Sequence, residues 1–166
     1  MKKEIKRISL MTAIFLTVGL VSSAVEAGVI RINGTIAGSE SGAPFPDPAE
    51  GVYVNGSFMS TDTALGPFTL FYSLPVDFAF ADTPPGNAGG SRLIVGDAAN
   101  GDSILACFLG RNSGSCANGD RHVDPWTIIG GTGRYAGARG SFTTDQCSNL
   151  ETGETSGTIS GTIVVR

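Results

Sequence analysis

Trp126-Thr127-Ile128-Ile129-Gly130-Gly131-Thr132-Gly133-Arg134-Tyr135-Ala136-Gly137-Ala138-Arg139-Gly140-Ser141-Phe142 is the stretch on which the reading of this chain turns. It opens as a short apolar run of β type, breaks at a glycine cluster and resumes toward a second run. Glycine tolerates positive φ and carries no Cβ to clash, so the backbone can reverse tightly here. Residues 131–136 also match the dinucleotide fingerprint G-x-G-x-x-A in form. That fingerprint works only where a helix N-terminus follows to hold the pyrophosphate. Gly137-Ala138-Arg139-Gly140-Ser141 cannot start a good helix, since glycine costs about 1 kcal/mol per interior helical position. The stretch reads as strand, tight turn, strand, and the nucleotide reading is rejected.

Outward from this point the same texture continues. Short β-type runs fall at 29–36, 52–59, 68–74, 76–80, 92–96, 103–109, 126–129, 141–144 and 155–165. No window of a dozen residues shows a 3.6-residue apolar period. Many short strands between turn clusters predict an all-β sandwich or barrel. The tetrapeptide Ala-Asn-Gly-Asp occurs twice, at 99–102 and 117–120. Asn-Gly favours two-residue hairpin loops. The first copy is expected to join 92–96 to 103–109 as an antiparallel hairpin, and the second to be a loop tip. Residues 38–51, with Pro44, Pro46 and Pro48, and residues 82–90, with Pro84 and Pro85, are expected to be irregular surface loops.

The chain has 166 residues, which makes one domain the default. Its start reads differently from the rest. Lys2, Lys3, Lys6 and Arg7 precede an apolar stretch from Ile8 to Val21, and small residues follow with Val25 and Ala27 placed for cleavage. Residues 1–27 are read as a secretory signal peptide and residues 28–166 as a single β domain. Export to a periplasm or the extracellular space is therefore expected, with no membrane anchor in the mature form. Removing 27 of the 166 residues leaves 139, with seven arginines, no lysine and thirteen acidic residues, a net charge of −6. Such a surface argues against a nucleic-acid partner, and Schiff-base chemistry on a lysine is excluded. Three cysteines, Cys107, Cys116 and Cys147, lie in the exported part, where disulfides form. Cys107 with Cys116 is the expected pair, although either can instead reach Cys147. No C-x-x-C occurs, and neither a metal site nor a cofactor is expected.

The 126–142 stretch resembles the signature of dirigent proteins and allene oxide cyclase-like barrels. In those families an apolar strand ends in Gly-Gly-Thr-Gly plus an aromatic, turns, and returns through Ala-Arg-Gly or a variant. Here Gly130, Gly131, Thr132, Gly133, Tyr135 and Gly140 carry the motif, and Ser156 to Val165 is similar to the closing strand. The resemblance implies a single eight-stranded antiparallel β-barrel with an apolar interior, often assembled as a dimer or trimer. With the signal peptide, it implies an exported, bacterial member. Plant members steer phenoxy-radical coupling or cyclise a fatty-acid epoxide, and some bacterial barrels of this kind close rings in polyketide-type products. The acidic segment near the dirigent first strand has no counterpart here if residues 38–51 form a proline loop.

Candidate site residues follow from the strand pattern. Asp77 interrupts an apolar run, and a carboxyl pointing into an apolar barrel would have a raised pKa and could exchange a proton. Tyr53, Phe71 and Tyr72 are candidate walls of a pocket for a small hydrophobic ligand. Arg139 is either a surface cation or the partner of a buried acid. His122, between Asp120 and Asp124, reads as a solvated loop residue, since no G-x-S-x-G elbow exists to complete a triad. Asp97 to Asp102 lacks the ligand pattern of a calcium loop. The expected function is a secreted, non-catalytic binding or structural barrel. The alternative is a cyclase, isomerase or dirigent-type protein that guides ring closure or coupling of a bound apolar molecule.

Overall fold

A computed structural model describes residues 28–60, 64–79, 86–95, 101–149 and 151–166. The segment read as a signal peptide lies outside the described residues. The described residues form nine strands: β1 (Gly28–Pro44), β2 (Gly51–Ser60), β3 (Phe68–Asp77), β4 (Asn87–Val95), β5 (Asp102–Gly110), β6 (Asn112–Cys116), β7 (Gly119–Gly131), β8 (Arg139–Ser148) and β9 (Glu154–Val165). A 3-10 turn, Gly133–Tyr135, joins β7 to β8. All pairings are antiparallel, and β5 pairs with β7 as well as with β4. That contact closes eight strands into a barrel in the order β1-β2-β3-β4-β5-β7-β8-β9, while β6 pairs only with β7. Closure leaves the eight barrel strands without a free edge.

Side chains alternate in and out along most of the barrel strands, as the two-residue period requires. Ile32 and Ile36 of β1, Phe68, Leu70 and Tyr72 of β3, and Ile159 and Ile163 of β9 point inward and are buried. An aromatic layer crosses the middle of the barrel. Trp126 stacks on Phe108 at 3.9 Å and on Phe142 at 5.3 Å between ring centroids. Tyr72 meets both Phe108 and Trp126 edge-on, and its ring lies 5.1 Å from Phe58. The indole N–H of Trp126 donates to Thr144 Oγ1 at 2.9 Å, so its one polar atom is satisfied in the core.

The glycine stretch closes one end of this barrel. The Thr132 N–H donates to Ser103 O at 2.7 Å, and the Ser103 N–H donates back to Thr132 Oγ1 at 2.9 Å. Tyr135 then folds over the end and is buried. Gly131 is obligatory, because a Cβ there would lie 2.5 Å from Tyr135 O and 2.6 Å from Ser103 O. Gly140 has φ +135, and a side chain would run into Thr162 O. One 3-10 turn replaces the helix that a dinucleotide site would need.

Several sequence expectations are corrected. The 38–51 loop is largely strand, with β1 and β2 paired out to Pro44↔Val52. The 68–74 run continues through Pro75 to Asp77 as β3, and Pro75 lies past the last β3–β4 pair, Ser73↔Gly90, so its missing N–H breaks no bond to β4. The expected 82–90 loop gives up residues 87–90 to β4. The hairpin at the first Ala-Asn-Gly-Asp is present as β4–β5, although residues 96–100 lie outside the described residues. The second copy is more than a loop tip, since Cys116↔Gly119 pairing makes it the turn of the β6–β7 hairpin.

The disulfide also differs from the expected Cys107–Cys116 pair. Cys116 is bonded to Cys147, with Cα atoms 6.0 Å apart, and Cys107 is a free, exposed thiol. The reason is strand geometry. Cys107 faces outward from β5, whereas the β6–β7 turn carries Cys116 to the end of β8 where Cys147 sits. The bond spans a sequence separation of 31 residues. Loop-closure entropy for that length is about 3–4 kcal/mol. Cys116→Ser is expected to lower unfolding free energy by about that amount in urea titrations. Cys107→Ser is expected to leave it unchanged; equal effects of the two would contradict the pairing.

Candidate functional site

At the end opposite the glycine turn the barrel is not filled. A cavity of about 390 Å³ opens there, above the aromatic layer. One wall is apolar: Val52 and Val54 from β2, Leu74 and Val76 from β3, then Phe78 just beyond. The facing wall is polar, with Glu40 from β1, Asp120, His122 and Asp124 from β7, and Gln146 from β8. Arg111 and Asn112, where β5 passes into β6, contribute to the rim. Phe108 and Tyr72 form the floor.

The polar wall follows from alternation. On β7, His122 and Asp124 share the inward face with Trp126 and Ile128, and Asp124 is 3% exposed. On β8, Gln146 continues the row of Phe142 and Thr144. On β1, Glu40 continues the row of Ile32 and Ile36. The Tyr72 hydroxyl donates to Glu40 Oε1. Burial, Glu40's charge and this bond push the Tyr72 phenol well above its ordinary range, so it stays protonated as a donor.

Asp124 carries the most distinctive electrostatics. Burial raises its carboxyl from 3.8 to about 6, and the Glu40 charge adds to that. His122, the Arg111 N–H bonded to its Oδ1 at 3.4 Å, and the Arg111 charge pull the other way. A carboxyl of this kind donates a proton below about pH 6 and accepts one above. Among the described residues, no group of three or more His, Cys, Asp and Glu side chains is gathered to hold a metal ion.

Of the site residues that the sequence proposes, Asp77, Tyr53, Phe71, Tyr72 and Arg139, Tyr72 alone lines the cavity. Asp77 lies at the end of β3 on the outward face, and its Oδ1 accepts the Ala79 N–H at 2.8 Å, a turn bond rather than an interior one. Asn87 brackets its backbone, accepting from Asp77 N–H at 3.0 Å and donating to Asp77 O at 3.3 Å. Tyr53 and Phe71 are 48% and 45% exposed on the outer wall, with Tyr53 4.6 Å from Phe45. Arg139 donates through Nη1 to Ile129 O and Ala138 O, both at 2.7 Å, and so ties strand ends together. Gly130, Gly131, Thr132, Gly133, Tyr135 and Gly140 gather at the closed end, far from the cavity. His122 is not a solvated loop residue: it sits half-buried on β7, its Nδ1 3.4 Å from Arg111 O. Glu40 and Gln146 escaped the sequence reading, which names Asp124 only as a neighbour of His122, and the signal that reveals all three is the inward parity of their strands.

These features define a closed barrel of eight antiparallel strands with a glycine-closed end and an open mouth. Among solved structures, the chain is similar to a pterocarpan synthase dirigent protein, with TM-score 0.52 and 15% sequence identity over 84% of this chain and 92% of the other. At that identity the likeness is one of fold. No protein-family model matches the sequence, and no curated protein does either.

The Asp124 shift makes stability depend on pH. Below about pH 4 the folded and unfolded chains both hold the proton, and the residue contributes nothing. Between about pH 4 and 6 the unfolded chain releases a proton that the folded chain keeps, so stability falls as pH rises, then levels off. The loss is on the order of 3 kcal/mol. Urea midpoints of wild type and Asp124→Asn should diverge across that window, with the variant gaining on wild type toward pH 7. Parallel curves would contradict a buried, proton-holding Asp124.

Proposed function

We propose that this protein binds one small, largely apolar molecule in the barrel mouth and holds it in a fixed conformation. The observation that carries this is the cavity itself: about 390 Å³, apolar on one side, with hydrogen-bonding groups converging from the other. That is the size and lining of small-molecule sites in general. The related fold of a dirigent protein supports the same role. A barrel used only as a structural module would fill its interior from end to end, as this one does only in its lower half.

A second reading, guided ring closure or coupling, is favoured by one observation: Asp124 sits in the cavity wall with its proton held to about pH 6. Orientation of a bound substrate can supply most of the acceleration of such a step, and one well-placed proton donor adds to it. The work is done outside the cytoplasm in this account, and the Cys116–Cys147 bond and the signal-like start support that placement. Exposed Met59, Phe71 and Leu105 on the outer wall give a second or third copy an apolar surface to pack against.

Native mass spectrometry with fatty acids, their epoxides and phenolics tests the binding role. Wild type should take up one ligand per barrel, saturably. Val54→Trp, which fills the cavity from its apolar wall, should fold and lose at least tenfold in affinity. Binding that ignores this substitution, or no binding at all, would refute the assignment.

A further inference from the structure

We propose that Gln146 selects the ligand of this cavity by accepting a hydrogen bond from a hydroxyl on the ligand's polar head; this rests on the binding role above. Gln146 is 4% exposed, on the inward face of β8, and it lines the cavity. Its Oε1 is buried and has no hydrogen-bond partner among the described residues. The polar groups around it make their hydrogen bonds elsewhere. Thr144, one step down the same face, receives the Trp126 indole N–H. Glu40 receives the Tyr72 hydroxyl. Asp124 accepts from the Arg111 backbone. His122, opposite Gln146 in the β7–β8 register, has its Nδ1 against Arg111 O.

A buried acceptor without a donor costs the fold the desolvation of that group, and a ligand that brings the donor recovers it. An ether of the same shape brings none, and discrimination of this type is larger than that from an added methylene. Charge narrows the head further. Glu40, Asp120 and Asp124 face the cavity against the single guanidinium of Arg111 and the imidazole of His122. A ligand carboxylate enters an excess of negative charge and meets an amide oxygen. A neutral hydroxyl meets acceptors. The site therefore reads a hydroxyl-bearing apolar molecule and turns away the corresponding acid.

The test uses three matched probes, 4-biphenylmethanol, its methyl ether and 4-biphenylcarboxylate, titrated at pH 7.5 against the disulfide-intact protein. Calorimetry gives affinities, and fluorescence of Trp126, the one tryptophan of the chain, reports occupancy of the barrel. The alcohol should bind about tenfold tighter than the ether and about a hundredfold tighter than the carboxylate. Gln146→Leu should weaken the alcohol about tenfold, to the level of the ether, and leave the ether within twofold. Should that chain fail to fold, Gln146→Met keeps the length of the side chain without the amide and carries the same expectation. Equal binding of alcohol and ether to wild type, or equal weakening of both by the substitution, overturns the role of Gln146 while the binding role stands. Failure of all three probes to bind overturns both.

Discussion

One stack of rings decides what the two halves of this barrel can be. Trp126, held between Phe108 and Phe142 and anchored by its N–H on Thr144, spans the interior at mid-height. Each aromatic pair contributes about 0.5–1.5 kcal/mol beyond burial. Below this layer the inward side chains are mostly Ile, Leu and Phe, and the Thr132–Ser103 bonds with Tyr135 seal the end. Above it, the layer serves as a dry floor, so groups in the mouth rest on a low-dielectric surface rather than on water. Removing the floor would let water reach Asp124 from beneath and would dissolve the distinction between core and site.

The chemistry of the mouth follows from that floor. Carboxyls seldom sit inside apolar barrels because ionising them there is costly, and this chain places Glu40 and Asp124 just where the aromatic layer ends. Burial of Asp124 costs stability, which the filled half of the barrel must offset. The Tyr72 hydroxyl spends its donor on Glu40, which locks the floor to the wall. The β6–β7 hairpin completes the rim, and the Cys116–Cys147 bond pins the tip of that hairpin to β8, the strand that carries Gln146. Site rigidity thus depends on an oxidised disulfide at the rim as well as on packing below.

The barrel was legible in the sequence because its signals are local: a glycine turn with no room for side chains, and β runs at short spacing. The site was not, and the reason is also physical. A strand that passes from core to mouth exchanges apolar for polar residues while keeping its period of two. Reading strands by hydrophobicity ends them where the cavity begins. Read that way, β1 stops at Ile36, four residues before Glu40; β7 starts at Trp126, two residues after Asp124; β8 stops at Thr144, two residues before Gln146. Asp77 drew attention as a charge in an apolar run, yet its parity on β3 sets it outside, opposite to Tyr72 and Leu74. The Cys116–Cys147 pairing needed the register of β6, β7 and β8, which spacing along the chain does not contain.

The central claim is that the upper half of this barrel is a binding site and the lower half a core. A crystal structure of the protein with 4-biphenylmethanol addresses it most directly. The account predicts density for one molecule above Trp126, its rings against Val52, Val54 and Leu74 and its hydroxyl within hydrogen-bond distance of Gln146. Density confined to the outer wall, or a mouth closed by its own side chains, would contradict it.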